Sequence, residues 1–195
     1  MNDAADDAVL IRRCRQGDSA AFDALVQKYQ DSLFNGIYRM MGDYEDAADV
    51  AQDVFLKAFR SVGGFRGGSS FYTWLYAIAV NTCISRRRSQ TARKQHLHVP
   101  LPGGADDGRD DPPDPDPQPP DVARSREESA RVEEAVANLP AEFRVVVVLK
   151  DIEGCSYAEI ARMLGCTQGT VKSRLFRARE RLREALAAGD RTRKL

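Results

Sequence analysis

The side chains best suited to chemistry in this sequence lie close together near residue 175. At about 100° per residue, a helix places four of them on one face, opposite an apolar edge: Lys172, Ser173, Phe176 and Arg177. Arg and Lys donate to guanine, Ser bonds several bases, and an exposed Phe suits a thymine methyl better than water. Residues 172–195 hold nine Lys or Arg and three acidic residues, a local charge of +6 that favours phosphates. This face is predicted to read DNA; the alternative is a solvated face in a small helical bundle.

Two helices around a tight turn are predicted to present that face. Ser156 and Glu159 form a capping box at the start of the first helix, and Gly165 suits the backbone conformation that ends it. Thr167 can cap the second helix. The buried edge of that helix is predicted to consist of Val171, Leu175, Ala178 and Leu182. The whole stretch is therefore predicted to be a helix-turn-helix.

A second surface is predicted near the middle of the N-terminal half, on a helix that Asp43 caps. A longer capped helix is predicted before it, from Asp18 to Met41, and Gly42 ends it. The inner stripe of the Asp43-capped helix is predicted to be Ala47, Val50, Ala51, Val54 and Ala58. Its outer face combines acid, amide and apolar groups: Asp49, Gln52, Asp53 and Leu56. An apolar side chain among acidic ones suits a basic partner helix; an ordinary solvated face fits the spacing equally well.

Aromatic residues crowd the next segment, with five of them in twelve residues: Phe65, Phe71, Tyr72, Trp74 and Tyr76. Helical spacing assigns some of them to a core, but Phe65 is expected in a glycine and serine loop outside it. Three arginines, residues 86–88, follow one turn beyond Asn81. Aromatic rings beside cations bind unstacked bases, and an Asn amide can read a base edge. The glycines lack the Lys and the spacing of a phosphate-binding loop, so nucleotide hydrolysis is not expected.

Composition points to a reduced, cytoplasmic protein without a cofactor. The chain has 195 residues, 43% of them hydrophobic, and no stretch resembles a signal peptide or a membrane span. Its four cysteines form no CxxC pair: Cys14, Cys83, Cys155 and Cys166. His96 and His98 lie in a polar stretch far in sequence from any cysteine, so we expect no metal site.

A change of composition divides the chain into two domains. Eight of the nine prolines lie between residues 100 and 120, and within residues 95–123 seven Asp against one Arg give a charge of −6. We therefore predict an all-α fold of two small domains, residues 1–94 and 125–188, joined by an extended, disordered acidic linker at 95–124. Residues 189–195 are predicted to be a basic tail. After the linker, one helix is expected from Ser129 to Leu139 with Val132 inside. Another is expected from Pro140, with Phe143, Val147 and Ile152 at helical spacing despite four consecutive valines.

These segments resemble the extracytoplasmic function group of bacterial sigma factors, in particular its envelope-stress branch. Region 4 of that group resembles LPAEFRVVVVLKDIEGCSYAEIARMLGCTQGTVKSRLFRARERL, and region 2 resembles AAFDALVQKYQ, DVAQDVFLKAF and FRGGSSFYTWLYAIAVNT. The motifs occur in the same order on both sides of the linker, and the resemblance covers nearly all of the chain except linker and termini.

The resemblance implies a subunit that binds RNA polymerase core and directs it to promoter DNA. It implies that a coiled coil of the largest polymerase subunit binds the surface formed by Asp49, Gln52, Asp53 and Leu56. It assigns the minus-10 element to Phe65, Ser70, Phe71, Tyr72, Trp74 and Asn81, and the minus-35 element to Lys172, Ser173, Phe176 and Arg177. It further implies an anti-sigma partner, commonly attached to the inner membrane. Gly68 is a departure, because members of that branch usually carry an acidic residue there, so no minus-10 base preference is implied.

Two other classes of protein are alternatives to a sigma factor. A free-standing helix-turn-helix regulator would bind operators without polymerase, usually as a dimer, and no dimerisation helix or effector pocket is recognisable. A nucleic-acid enzyme would need carboxylates or metal ligands that converge on a site. The candidate carboxylates spread around one predicted helix instead: Asp43, Glu45, Asp46, Asp49 and Asp53. We therefore expect no enzyme and no small-molecule substrate.

Overall fold

The computed structural model describes residues 3–96 and 120–192, and both ranges are helical without a strand, which confirms the expected fold class. The helices are α1 Asp3–Arg15, α2 Ser19–Met41, α3 Tyr44–Ser61, α4 Phe71–His96, α5 Pro120–Ala137, α6 Ala141–Val147, α7 Tyr157–Leu164 and α8 Gln168–Thr192. A 3-10 turn at Val62–Gly64 follows α3, and a π-helical turn at Val148–Ile152 follows α6. None of the helices in these two ranges has the length and apolar character needed to cross a membrane.

The N-terminal domain consists of α1 to α4 around one apolar core. The Asp18 carboxylate caps α2 by accepting from the Ala21 amide, and Gly42 ends it with a φ of 80°. Asp43 caps α3 in the same way through the Asp46 amide. The predicted inner stripe of α3 is buried in full, and it packs against α2 and α4. These caps and stripes were all predicted from the sequence and are confirmed.

The C-terminal domain ends in the predicted helix-turn-helix. Ser156 and Glu159 form the reciprocal capping box, and Gly165 ends α7 in the left-handed conformation with a φ of 60°. The Thr167 hydroxyl accepts from the Thr170 amide at 3.1 Å and starts α8. Val171, Leu175 and Ala178 are buried, with Leu182 partly buried below them. Because this edge is committed to the core, the opposite face of α8 stays exposed.

Several expectations about helix boundaries are wrong. The helix expected from Ser129 begins at Pro120 and ends at Ala137, and Val132, expected inside, is 46% exposed because α5 turns that side to solvent. Helix α1 was not expected at all. The predicted linker at 95–124 is helical at 95–96 and at 120–124, and its remaining residues lie outside the described ranges. Residues 189–192 of the predicted tail belong to α8, and 193–195 lie outside the described ranges.

The four consecutive valines are helical, as predicted, but the helix changes its winding there. The last of them opens the π-helical turn at 148–152, which widens the helix by one residue per turn. The wider turn leaves Ile152, placed on the inner edge by α-helical spacing, 44% exposed. It also carries the chain outward, so that Glu153 points toward the N-terminal domain, where it receives a hydrogen bond from Tyr72.

The two domains pack against each other, with α5 and α6 on α2 and with α7 on α4. Arg144 is 9% exposed, and its guanidinium donates to the carbonyls of Leu139 (3.1 Å), Ala137 and, across the interface, Met40 (3.5 Å). Tyr76 is fully buried beside Gly36, where a Cβ would come within 1.3 Å of the Tyr76 hydroxyl. A spacer between two domains was expected, but this direct packing was not.

The capping box at Ser156 provides a first test of the fold. Removing the side-chain acceptor with Ser156→Ala leaves the Glu159 amide unpaired at the start of α7, so we expect about 1 kcal/mol less stability. Urea denaturation followed by circular dichroism measures the loss, with Ser85→Ala on the exposed middle of α4 as the control. An equal midpoint for Ser156→Ala and the wild-type protein would contradict the capping assignment.

Candidate nucleic-acid and polymerase interfaces

The exposed face of α8 brings together the four residues expected to read duplex DNA. Phe176 is 64% exposed at the centre of this face. Lys172, Ser173 and Arg177 are exposed on the same face, within the first three turns of α8. The Ser173 hydroxyl donates to the Thr170 carbonyl at 3.0 Å, which leaves its oxygen able to accept. The predicted grouping is therefore present in the structure.

A tyrosine that sequence reasoning missed holds Lys172 in place. The Lys172 ammonium lies 5.5 Å from the centroid of the Tyr157 ring, and the Lys150 ammonium lies 5.1 Å from the same centroid. Lys150 also donates to the Cys155 carbonyl at 3.0 Å. Cations over an aromatic face are attracted to its quadrupole, so Tyr157 restricts the positions of both ammonium groups. The only sequence signal was the aromatic residue at the first position of α7.

Other cations on α8 are engaged with acidic groups of their own domain. Arg179 donates through Nε to Asp151 at 3.2 Å, and hydrogen bonding to this carboxylate raises the pKa of the guanidinium. Arg174 lies 3.7 Å from Glu142. The positive charge of α8 is thus partly neutralised on the side that meets α6 and the π-helical turn, whereas the side that carries Phe176 keeps its positive charge.

The predicted partner face of α3 is also assembled as expected. Asp49, Gln52, Asp53 and Leu56 are exposed, and Leu56 is 54% accessible. Sequence reasoning missed the neighbouring Phe59, which is 51% exposed. Together with side chains of α2, Leu56 and Phe59 line an apolar groove of about 1110 Å³. The residues of α2 and α3 that line it include Phe22, Val26, Phe34 and Phe55.

Arg86 lies against this face rather than beside the predicted base-reading residues. Its Nη2 donates to Asp49 at 2.8 Å and its Nε donates to Asp46 at 3.1 Å, and these bonds raise the pKa of the guanidinium. Gln90 donates to the same Asp46 at 2.6 Å. The expectation that Arg86 adds charge at a base-binding surface is therefore wrong, because its position along α4 aims it at α3.

The aromatic cluster is more deeply buried than the sequence suggested. Phe65, expected in a loop outside the core, is only 7% exposed and packs on Phe71 and Trp74, with ring centroids 6.0 and 5.3 Å away. That expectation is wrong because the 3-10 turn after α3 folds the loop back onto α4. Phe71 is 2% exposed, and Trp74 is partly exposed above both rings. Ser70 orients the start of α4 by accepting from the Thr73 amide at 3.0 Å.

Tyr72 and Asn81 complete the predicted base-reading set at two different positions on α4. The Tyr72 ring stacks on Tyr29 at a centroid distance of 5.4 Å, and its hydroxyl donates to Glu153 at 2.7 Å. Burial, followed by that carboxylate, raises the pKa of Tyr72. Asn81 is exposed, and its amide nitrogen donates to the Ala77 carbonyl at 2.8 Å. The structure therefore groups Phe65, Phe71 and Trp74 and leaves Asn81 further along the helix.

Comparison with known proteins agrees with this layout. The family model for sigma-70 region 2 matches residues 25–93, and the model for sigma-70 region 4 matches residues 129–182. The RNA polymerase sigma-H factor of Pseudomonas aeruginosa is 41% identical over 181 residues, which cover 92% of this chain and 93% of that protein. The ECF RNA polymerase sigma-E factor of Escherichia coli K12 is 36% identical over 187 residues, covering 92% and 94%.

A solved structure shares the fold. It contains the sigma factor RpoE of Bartonella quintana in complex with the anti-sigma factor NepR. RpoE aligns with a TM-score of 0.64 at 25% identity, over 85% of this chain and 96% of that one. The alignment therefore includes parts of both domains rather than one helical bundle alone.

The cysteines behave as small apolar residues in this structure. All four are free, and Cys83 and Cys155 are 5% and 9% exposed. Burial raises the pKa of the Cys83 thiol to about 12 and that of the Cys155 thiol to about 11. Within residues 3–96 and 120–192, no three metal-ligating side chains are grouped around a common point. His98 lies outside those ranges.

These raised pKa values predict poor thiol reactivity in the native protein. At pH 8 a thiol with a pKa near 11 is about 0.1% thiolate, and the thiolate is the reactive form. We expect iodoacetamide to modify Cys83 and Cys155 at least tenfold more slowly in the native protein than in urea, as quantified by peptide mass spectrometry. The partly exposed Cys166 is the internal reference. Rapid native alkylation of Cys155 would contradict its burial and reopen a redox role.

Proposed function

The chain belongs to the extracytoplasmic function group of the sigma-70 family, and we propose that it directs RNA polymerase core to promoters through three separate surfaces. It is an alternative sigma factor. The observation that carries this function is the coincidence of region 2 with the N-terminal domain and of region 4 with the C-terminal helix-turn-helix. Each region has an exposed surface that combines apolar and charged side chains, of the kind that a partner covers.

We assign polymerase binding to the outer face of α3. Asp49, Gln52 and Asp53 are exposed acceptors around Leu56, so a helix with basic and apolar side chains complements them. A coiled coil of the largest polymerase subunit supplies such a helix. Arg86 holds the Asp49 carboxylate from the α4 side, which orients it before the partner arrives. Leu56 and the adjoining groove supply the apolar area that makes the contact strong.

We assign the minus-10 element to the aromatic surface of α4. Trp74 offers a partly exposed ring for stacking on an unpaired base, and Phe65 and Phe71 support it from below. Tyr72, whose hydroxyl donates to Glu153, adds a partly exposed ring two residues before Trp74. Asn81 offers an amide about two turns further along the helix, and Ser70 fixes the first turn of α4. Each stacked base contributes about 1 to 3 kcal/mol, which helps hold the strand after melting.

We assign the minus-35 element to the exposed face of α8. A recognition helix enters the major groove with residues of its first turns on base edges. Arg177 and Lys172 are placed to donate to guanine or phosphate, Ser173 to bond a base, and Phe176 to contact a thymine methyl. Tyr157 keeps the Lys172 ammonium at the edge of this surface.

We propose control by an anti-sigma protein, by analogy with the RpoE complex with NepR. An inner-membrane attachment of that partner would link transcription to extracytoplasmic or envelope stress, as the sigma-E relatives suggest. The sigma factor itself would act in the cytoplasm, where polymerase and DNA are found. Sigma factors work by binding, so the proposal contains no catalytic step, cofactor or small-molecule substrate.

Dependence on polymerase tests the proposed function. A single helix-turn-helix contacts few base pairs, so specific affinity requires a second contact fixed by polymerase core. We expect promoter-specific gel shifts and start-site transcription only when core enzyme is present, on a promoter mapped by start-site sequencing. Leu56→Asp should remove both by placing a charge in the apolar contact.

Val9→Asp is the matched control, because Val9 is a similarly exposed apolar residue, on α1 rather than α3. It should leave core-dependent transcription unchanged. Tight, specific promoter binding by the isolated protein at physiological salt would instead support a free-standing regulator. Unchanged transcription with Leu56→Asp would reject the α3 assignment.

Substitutions on α8 separate base reading from phosphate binding. Phe176→Ala and Arg177→Ala in the holoenzyme should each reduce discrimination between matched and scrambled minus-35 sequences by about 1 to 3 kcal/mol. Arg183→Ala is the control: this side chain is 75% exposed further along α8, near Glu180. Its loss should weaken binding to both sequences equally. Equal losses on both sequences for all three variants would reject the recognition face.

A further inference from the structure

The loop between α3 and α4 is held by a side chain from α1. The guanidinium of Arg15, the last residue of α1, donates through Nη2 to the backbone carbonyl of Phe65. The two residues are 50 positions apart in the chain. The Phe65 ring supports Trp74 at a centroid distance of 5.3 Å. Arg15 therefore reaches the aromatic surface of α4 through the backbone of the loop rather than through its rings.

The loop itself supplies little that would fix its backbone. Residues 63, 64, 67 and 68 are glycine, which has more backbone conformations than any other residue. A Cβ at any of these four positions would meet no atom within 4 Å. Inside the loop, the Phe65 amide donates to the Val62 carbonyl at 3.1 Å. The hydrogen bond from Arg15 adds a fixed point that belongs to a separate helix.

Helix α1 is itself fixed and can therefore serve as an anchor. It packs on α2 and on the 3-10 turn that follows α3. Near its start, Asp7 is 6% exposed and accepts from the Lys28 ammonium at 2.7 Å and from the Tyr29 hydroxyl at 2.5 Å. Burial, followed by the Asp7 carboxylate, raises the pKa of Tyr29 to about 12, so this hydroxyl keeps its proton at neutral pH. The Tyr29 ring lies 5.7 Å from Phe71, so α1 is tied to the aromatic cluster at both of its ends.

We propose that Arg15 is a positioning residue for minus-10 recognition, which holds the Phe65 loop against α4 so that Trp74 is supported before the DNA strand arrives. This inference rests on the proposed function, because it takes the Trp74 surface to bind the minus-10 element. Arg15 contacts neither base nor phosphate in this role. A surface that is ordered in advance loses less conformational entropy on binding. If the loop is ordered in only a fraction of molecules, the apparent affinity falls by that fraction.

Trp74 is the only tryptophan of the chain, so its fluorescence reports on this surface directly. In Arg15→Ala the loop loses its fixed point, and Phe65 covers the indole for less of the time. We expect the Trp74 emission of the free, full-length protein to shift to longer wavelength and its quenching by acrylamide to increase. Arg15→Lys keeps a side-chain donor and should stay close to the wild type. Arg12→Ala removes the same charge from another exposed arginine one turn earlier on α1 and should change neither signal.

Binding of a single-stranded minus-10 oligonucleotide to the holoenzyme measures the consequence for recognition. With the non-template strand of a mapped promoter, Arg15→Ala should weaken binding about three- to tenfold, whereas Arg15→Lys and Arg12→Ala should bind as the wild type does. An equal loss in Arg12→Ala would trace the effect to charge alone and overturn the positioning role.

The salt dependence of the same binding separates positioning from direct contact. The slope of log affinity against log salt concentration should be equal for Arg15→Ala and the wild type, because no phosphate contact is lost. A slope shallower by about 0.7, the value for one phosphate on a single strand, would show that Arg15 binds DNA itself and would overturn the positioning role.

Two further outcomes distinguish a failure of the positioning role from a failure of the proposed function. If the wild-type holoenzyme binds the oligonucleotide but Arg15→Ala leaves either the Trp74 emission or the affinity unchanged, the function stands and the positioning role fails. If the wild-type holoenzyme binds the minus-10 strand no more tightly than a scrambled strand, the minus-10 assignment fails, and the positioning role fails with it.

Discussion

The limited circumference of α4 restricts which of its side chains are available to bind a partner. With 3.6 residues per turn, one helix offers only a few independent faces, and α4 must serve several neighbours. Leu75, Ala79 and Val80 are buried in the domain core. Arg86 turns toward α3, and Tyr72 turns toward the C-terminal domain. The edge carrying Trp74 and Asn81 is left for the proposed contact with nucleic acid, so under that proposal α4 combines base reading with packing.

The charge distribution also differs between the two domains. The chain is neutral overall, but α8 presents cations around Phe176 whereas α3 presents carboxylates around Leu56. In the proposed function these two surfaces meet partners of opposite charge, DNA phosphates and a basic helix. Ion pairs within each domain, such as Arg179 with Asp151, trim the charge at the edges of those surfaces. Exposed pairs of this kind contribute little to stability.

Local patterns allowed the helices other than α1 to be predicted, together with the exposure of the side chains on two of the three candidate surfaces. The capping box at Ser156, the stripe of α3 and the exposed face of α8 depend on spacing within one or two turns, which a sequence displays directly. The burial of Phe65 depends on a loop folding back, and the partner of Arg86 lies 37 residues away. The hydrogen bond between Tyr72 and Glu153 spans 81 residues and requires a π-helical turn. Nothing in local periodicity encodes contacts at those separations.

The close approach of the Tyr76 hydroxyl to Gly36 couples evolutionary change at these two positions. The Tyr76 hydroxyl occupies the volume that any side chain at position 36 would need, because a Cβ there would come within 1.3 Å of it. A larger residue at 36 is compatible with this packing only when residue 76 shortens, and a tyrosine at 76 only when residue 36 remains glycine. Change at position 36 is therefore blocked until residue 76 shortens, so among descendants of this sequence a side chain at 36 should occur only together with a smaller residue at 76.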